Sequence, residues 1–310
     1  MNKIFALLAL TVLYNCKQTD TPSSATKTEV SEMVAFLASD DLKGRNTGTP
    51  EINEAAKYIE NKFKAYGVAP YFEGYQDEFV VDSLKGFNVV GVLEGNDPEL
   101  KNEYVVLGAH YDHIGYGKKV DLDSIANGAN DNASGSASVL AFAKHFAQTK
   151  SNKRSIMFVL FSGEEKGLLG STHLAKRLKQ QNFNLYTMIN FEMLGVPLNN
   201  RDYEVFITGY KMSNVAEKLN AYHGNNLVGV SEIAEKHNLF KASDNYPFYQ
   251  EFSLPCHTVS SCDLSNYDFY HKVGDEAQLM NYEFMASVIN KFTPVIEAVC
   301  NTPTQEIKLN

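Results

Sequence analysis

The apolar run Ile156–Phe161 is followed by Ser-Gly and then by two adjacent carboxylates, Glu164 and Glu165. Adjacent like charges at the edge of a hydrophobic segment repel and resist desolvation unless a counter-charge offsets them. A metal ion is one such counter-charge, and comparable donors close other apolar runs. YVVLGAH ends in His110, with Asp112 two residues on. MINFE ends in Glu192, and His271 closes the segment LPCHTVSSCDLSNYDFYH. Asp131 projects from 128-GANDNASGS-136, whose Gly and Asn residues suit an irregular backbone ahead of a helix.

Imidazoles and carboxylates gathered without cysteine describe a catalytic rather than a structural zinc site. Oxygen donors alone would point to Ca²⁺ or Mg²⁺, whereas imidazole favours Zn²⁺, with Co²⁺ or Mn²⁺ able to substitute. The donors outnumber what one tetrahedral ion needs with a position open for water. Two ions about 3.5–4 Å apart, bridged by a carboxylate and a water, would use them all.

Such donors need elements that deliver them to one place. Val30–Leu42 and Glu51–Tyr66 carry helical apolar spacing, with Gly67 placed to end the second. Strand-like runs lie at Phe79–Asp82, Asn88–Leu93, Tyr104–Ala109, Ile156–Phe161, Tyr186–Phe191, Tyr203–Thr208 and Leu254–Val259. Ala133–Ala147, Leu168–Leu178, Met212–Tyr222 and Glu276–Val299 read as helices. Strands alternating with helices predict an α/β sheet, largely parallel in its centre. In such sheets the ligand crevice lies outside the carboxyl ends of the strands, where residues distant in sequence meet.

The rest of the 310 residues sets the context. Met1–Lys3 and the apolar run Ile4–Tyr14 read as a signal peptide over residues 1–16, too short to span a bilayer, with Cys16 at the place of lipidation. Export to the cell envelope, periplasm or medium is expected, and membrane contact only through that lipid. Residues 17–28 read as a polar tether, 29–300 as one domain and 301–310 as a C-terminal tail. A net charge of −9 argues against nucleic acid or an acidic membrane surface as partner. Cys256 and Cys262 are close enough to bridge a short loop, a pairing left open.

HYDH at 110–113, GANDNASGS, FSGEEKGLLGS, the NFEM strand and DFYHKVGDE together resemble the zinc exopeptidases of the co-catalytic two-metal aminopeptidase group. That family includes bacterial leucyl-type aminopeptidases and the catalytic domain of glutamate carboxypeptidase. LASDDLKGRNTGTPE followed by AAKYIENKFKAYGV is similar to its usual domain start, so the likeness runs over about residues 30–300. The resemblance implies a three-layer α/β/α fold with a mixed, centrally parallel sheet, two zinc ions and peptide substrates. It implies that His110 binds the first zinc, that Asp112 holds that imidazole, and that Asp131 bridges both ions. It implies further that Glu165 and His271 complete the second zinc, with Glu164 left as the general base. Glu192 stands where the family has Asp on the first zinc. In 243-SDNYPF-248, Asn245 replaces the family's His, and Tyr246 is expected to donate to the tetrahedral oxyanion. His113, His145, His173, His223, His237 and His257 have no comparable setting and are read as structural.

The activity so implied is an exported aminopeptidase. A glutaminyl cyclase on the same fold is the alternative, although its relatives surround the substrate with tryptophan and this chain has none. An inactive relative acting as a binding module is the other. No Gly-x-Ser-x-Gly elbow and no phosphate-binding Gly-x-x-x-x-Gly-Lys-Ser/Thr loop occurs.

Overall fold

The computed structural model describes residues 24–310. The expected signal peptide and Cys16 lie outside them. In chain order the elements are α1 Lys27–Leu37, α2 Pro50–Tyr66, β1 Ala69–Pro70, β2 Gln76–Val81, β3 Leu84–Leu93, β4 Tyr104–His110, β5 Gly115–Val120, β6 Asp123–Ala126 and α3 Gly135–Thr149. They continue with β7 Ser155–Phe161, α4 Leu169–Gln180, β8 Leu185–Glu192, β9 Val205–Ile207, α5 Val215–His223, β10 Val228–Gly229, α6 Glu232–Lys236, α7 Asn245–Phe252, β11 Cys256–Ser260 and α8 Tyr282–Asn301.

The main sheet runs β1-β3-β7-β4-β8-β11-β9-β10, with β2 also paired to β3. Its centre, β7-β4-β8-β11, is parallel, and the pairings of β3 with β7 and of β11 with β9 are antiparallel. This is the mixed, centrally parallel sheet expected. Alternation along the central strands makes two cores. Val105, Leu107, Ile156, Phe158, Ile189 and Phe191 face α1, α2, α3 and α8. Val106, Met157, Val159 and Met188 face α4 and α7. Side chains of successive strand residues point to opposite faces, so a continuous apolar run serves both layers.

Local chemistry sets the helix ends. Thr26 caps α1 through a reciprocal capping box with Glu29. Pro50 opens α2, and Gly67, at φ 79°, closes it as expected. Helix α8 begins at Tyr282 rather than Glu276, because Asn281 caps it by accepting the Phe284 N–H (3.0 Å) and residues 277–279 form a separate turn. The β5–β6 hairpin and α7 carried no apolar period and were not foreseen. Two boundaries also differ: helix α1 starts inside the stretch expected as a tether, and the expected tail packs back onto the domain. Ile307 is buried, its N–H and that of Glu306 donate to the Tyr186 hydroxyl, and Leu309 bridges to Ser213. Among the described residues no helix is long and apolar enough to cross a membrane.

Candidate metal centre

Strand register brings the donors together. Gly108 of β4 pairs with Asn190 of β8, so His110 and Glu192, two residues further, close adjacent parallel strands. His110 also pairs with Phe161, the end of β7, beyond which lie Glu164 and Glu165. The loop before α3 carries Asp131 and is stitched to its surroundings by alternate side chains. Asn130 Oδ1 accepts the Gly195 N–H (2.8 Å), Asn132 Oδ1 that of Met193 (3.0 Å) and Ser134 Oγ that of Leu194 (2.9 Å). Ser136 Oγ donates to the His110 carbonyl (2.8 Å). Buried backbone groups after Glu192 thus find partners in this motif, which is why Asn and Ser recur at every second position.

Asp131 stands between two groups of donors. Its Oδ1 lies 3.3 Å from His110 Nε2, and its Oδ2 lies 3.2 Å from His271 Nε2 and 3.7 Å from His113 Nδ1. On one side, ligand atoms of His110, Glu164 and Glu192 lie within 4.8 Å of one another; on the other, those of His113, Asp131 and Glu165 do. His271 Nε2 is 3.0 Å from Glu165 Oε2 and His113 Nδ1 is 2.8 Å from Glu165 Oε1. His271 is 37 % exposed at its side chain, whereas His110 is 1 % exposed. His110 Nε2, His113 Nε2, Asp131 Oδ2 and Glu192 Oε2 are buried with no hydrogen-bond partner. Buried polar atoms left open in this way, all nitrogen or carboxylate oxygen, fit a divalent cation such as zinc.

His110 Nδ1 donates to the Asp112 backbone carbonyl (3.1 Å), which leaves Nε2 as the basic nitrogen. The Asp112 carboxylate, expected to hold that imidazole, is mainly occupied elsewhere. Its Oδ1 is 3.7 Å from His110 Nδ1, while its oxygens accept from Thr47 Oγ1 (2.8 Å), Gly163 N (2.9 Å) and Glu164 N (3.3 Å). Asp112 therefore fixes the turn that carries Glu164.

The electrostatics follow from burial. Burial alone would raise the pKa of Asp131, yet the neighbouring imidazoles of His110, His271 and His113 hold it well below the carboxylate range. Burial, with Glu192 and Asp244 beside it and the His110 charge opposing, pushes Glu164 well up. Burial also carries Glu192 and Asp244 to about 7. Burial would lower His271, but Asp131 and Glu165 raise it to about 10. A divalent cation entering here would displace protons from such groups, so its uptake releases protons.

Three residues of the site were missed. His113 was read as structural, yet it faces Asp131 and Glu165; its place three residues after His110 was the signal. Asp244 is fully buried near the carboxylates, with neither oxygen hydrogen-bonded. Tyr270 stacks on His271 with ring centroids 3.9 Å apart and, with Glu192, lines a small cleft of about 50 Å³. The Tyr246 assignment is corrected: its ring packs with Phe240 and Tyr249 and lines a different cleft, with Met212 and Glu235. Asn245 is structural, donating to Phe240 O and Cys256 O and accepting from Thr258 Oγ1. Cys256, Cys262 and Cys300 are free, buried thiols, so Cys256 and Cys262 are not paired.

An open, centrally parallel sheet with imidazole and carboxylate donors outside its carboxyl edge defines the class: an α/β protein built around a candidate metal centre. Residues 88–294 match Peptidase family M28, and the chain belongs to that family. A relative described as a probable zinc metalloprotease, from Pyrenophora tritici-repentis, is 42 % identical over 148 residues. The match covers 47 % of this chain and 33 % of the relative, so the chain spans about a third of that protein's length. The LapA aminopeptidase of Legionella pneumophila superposes with a TM-score of 0.68 at 20 % identity, over 89 % of this chain and 72 % of that one. A glutaminyl cyclase from Porphyromonas gingivalis gives 0.67 at 15 % identity, over 87 % and 97 %. At such identities the two structures establish the shared fold alone.

Proposed function

We propose that this chain is a two-zinc aminopeptidase that releases N-terminal residues from peptides. The observation that supports this most directly is Asp131 lying between His110 on one side and His113 and His271 on the other. A carboxylate shared by two donor groups is what a pair of neighbouring ions requires. His110, Asp131 and Glu192 would hold one ion, and Asp131, Glu165 and His271 the other, with His113 bound to the remaining oxygen of Glu165. Zinc so held supplies a water of lowered pKa and polarises the scissile carbonyl.

The chain's own groups carry the protons. Glu164, oriented through Asp112, accepts the proton of the attacking water and returns it to the leaving amine nitrogen. Its burial among carboxylates makes it a ready acceptor. The Tyr270 side chain is partly exposed, and its hydroxyl, kept protonated by partial burial and by the charges of Asp131 and Glu192, donates to the developing oxyanion. The cleft beside Glu192 is walled by Met193, Leu239, Cys262 and Leu264 with Ser243 and Thr208 among them. As it stands it has room only for a small uncharged side chain. Export, and attachment through Cys16, extend the proposal on the pattern of residues 1–16 alone.

The test is metal content followed by assay of aminoacyl-anilides and Gln-peptides with and without a chelator. Two zinc ions and chelator-sensitive amide hydrolysis are expected. One zinc with cyclisation of N-terminal Gln, or no turnover of any peptide, would replace this reading with the cyclase or the binding module.

A further inference from the structure

Two conspicuous sequence motifs take no part in this scheme: Lys-Gly-Arg at 43–45 and Gly-Asp-Glu at 274–276. Both meet at the loop that carries Asp131. The Arg45 guanidinium is fully buried. Its Nε donates to Tyr111 O (2.7 Å), Nη1 to Leu37 O (2.8 Å) and Asn127 O, and Nη2 to Gly128 O (2.6 Å) and Asp131 O (3.4 Å). A guanidinium has five N–H donors, and these five carbonyls take all of them.

Asp275 grips the same loop from its amide side. It is fully buried, and its carboxylate accepts from Asn130 N (2.7 Å) and Asp131 N (3.0 Å). Its backbone carbonyl accepts from Ala129 N (3.1 Å), and Tyr267 Oη donates to Oδ1 (2.6 Å). Within residues 127–131, three carbonyls therefore point to a buried cation and three amides to Asp275. Glycines make the approach close enough. A Cβ on Gly44 would fall 2.4 Å from the carbonyl oxygens of Gly115 and Ala126, and one on Gly128 would fall 2.2 Å from Asp131 O.

We propose that Arg45 and Asp275 form a charge-matched clamp on residues 127–131 that positions Asp131, and through it sets the spacing of the two ions. Neither side chain touches the oxygens of Asp131 that face the imidazoles; both act through its backbone. A pin serving only the fold would not concentrate there. Three of the five Arg45 bonds go to this loop, and both protein amides bound by the Asp275 carboxylate belong to it. The clamp rests on the two-ion reading above, and its test separates the two.

Asp275→Asn, made in the full chain, keeps the shape but sets an amide NH₂ against a backbone N–H. Zinc affinity is measured by competition with a chromophoric chelator, the site by the visible spectrum of the Co²⁺ form, and the fold by circular dichroism. With the fold intact, 10–100-fold weaker binding of at least one ion and an altered Co²⁺ spectrum are expected. Arg45→Lys keeps the charge but loses the fork and should behave alike. Tyr267→Phe should show a smaller loss in the same direction. A folded Asp275→Asn protein with wild-type zinc affinity and spectrum overturns the clamp. If that variant does not fold, wild-type affinity in folded Tyr267→Phe does so instead. A wild-type chain that fails to bind two ions overturns the two-ion reading itself, and the clamp with it.

Discussion

His113 Nδ1 lies 2.8 Å from Glu165 Oε1, and His271 Nε2 lies 3.0 Å from Oε2 of the same carboxylate. The two imidazoles thus take opposite oxygens of one side chain. A donor hydrogen bond to one oxygen fixes the direction of the other, and such supporting partners govern metal affinity almost as strongly as the ligands. His113→Phe keeps ring volume and removes the donor, so zinc affinity should fall about 10–100-fold. A zinc titration that matches wild type would remove His113 from the centre.

Glu164 and Glu165 should behave differently despite their adjacency. Glu164→Gln should lose about 10²–10⁴ in turnover, the usual worth of a general base, while both ions remain bound. Because Glu164 has a folded pKa well above its unfolded value, its ionised form disfavours the fold at neutral pH. The metal-free variant should accordingly melt higher than metal-free wild type. Loss of an ion from Glu164→Gln would instead make Glu164 a ligand beside His110 and Glu192.

The two tyrosines give a paired test. Tyr270→Phe removes a hydroxyl beside the carboxylates and should cost about 10²–10³ in kcat with little change in KM. Tyr246→Phe, whose ring lies against Phe240 and Tyr249, should leave kcat unchanged. The opposite pattern in steady-state kinetics would restore Tyr246 and exclude Tyr270.

His257 makes the fold acid-sensitive. It is buried between Ser213 Oγ (2.8 Å) and Thr208 O (2.8 Å), and burial lowers its pKa to about 4. The unfolded chain therefore binds the proton first, and stability falls as the pH drops from about 6.5 towards about 4. The full loss is on the order of 3 kcal/mol. Urea unfolding of metal-free wild type and His257→Gln across that range should show a shallower pH slope in the variant. Equal slopes would assign the acid sensitivity to other groups.

Much of the centre was legible because its strands are buried on both faces. The uninterrupted apolar runs of β4, β7 and β8 mark their own carboxyl ends, and His110, Glu164, Glu165 and Glu192 follow directly. What lay in loops was harder, since a loop side chain points where distant packing sends it. Tyr270 is aimed by the segment that Asp275 and Tyr267 tie to the Asp131 loop, contacts with no local signature. Tyr246 failed for a simpler reason. Asp244 and Tyr246 are two residues apart at the start of α7, and two helical steps turn a side chain by about 200°. With Asp244 towards the carboxylates, Tyr246 must face away. The β5–β6 hairpin is largely exposed, so no buried period announced it.

The half-exposed ring of His271 has a kinetic consequence. Domains that fold only around zinc gain their ligand geometry from the ion. Here Asn130, Asn132 and Ser134 lock the frame through bonds among protein atoms. On the proposed two-ion reading, metal uptake should then be a docking event whose exchange is gated by access: an ion against His271 should be labile, swapped readily for another divalent cation, and one against the enclosed His110 should exchange slowly.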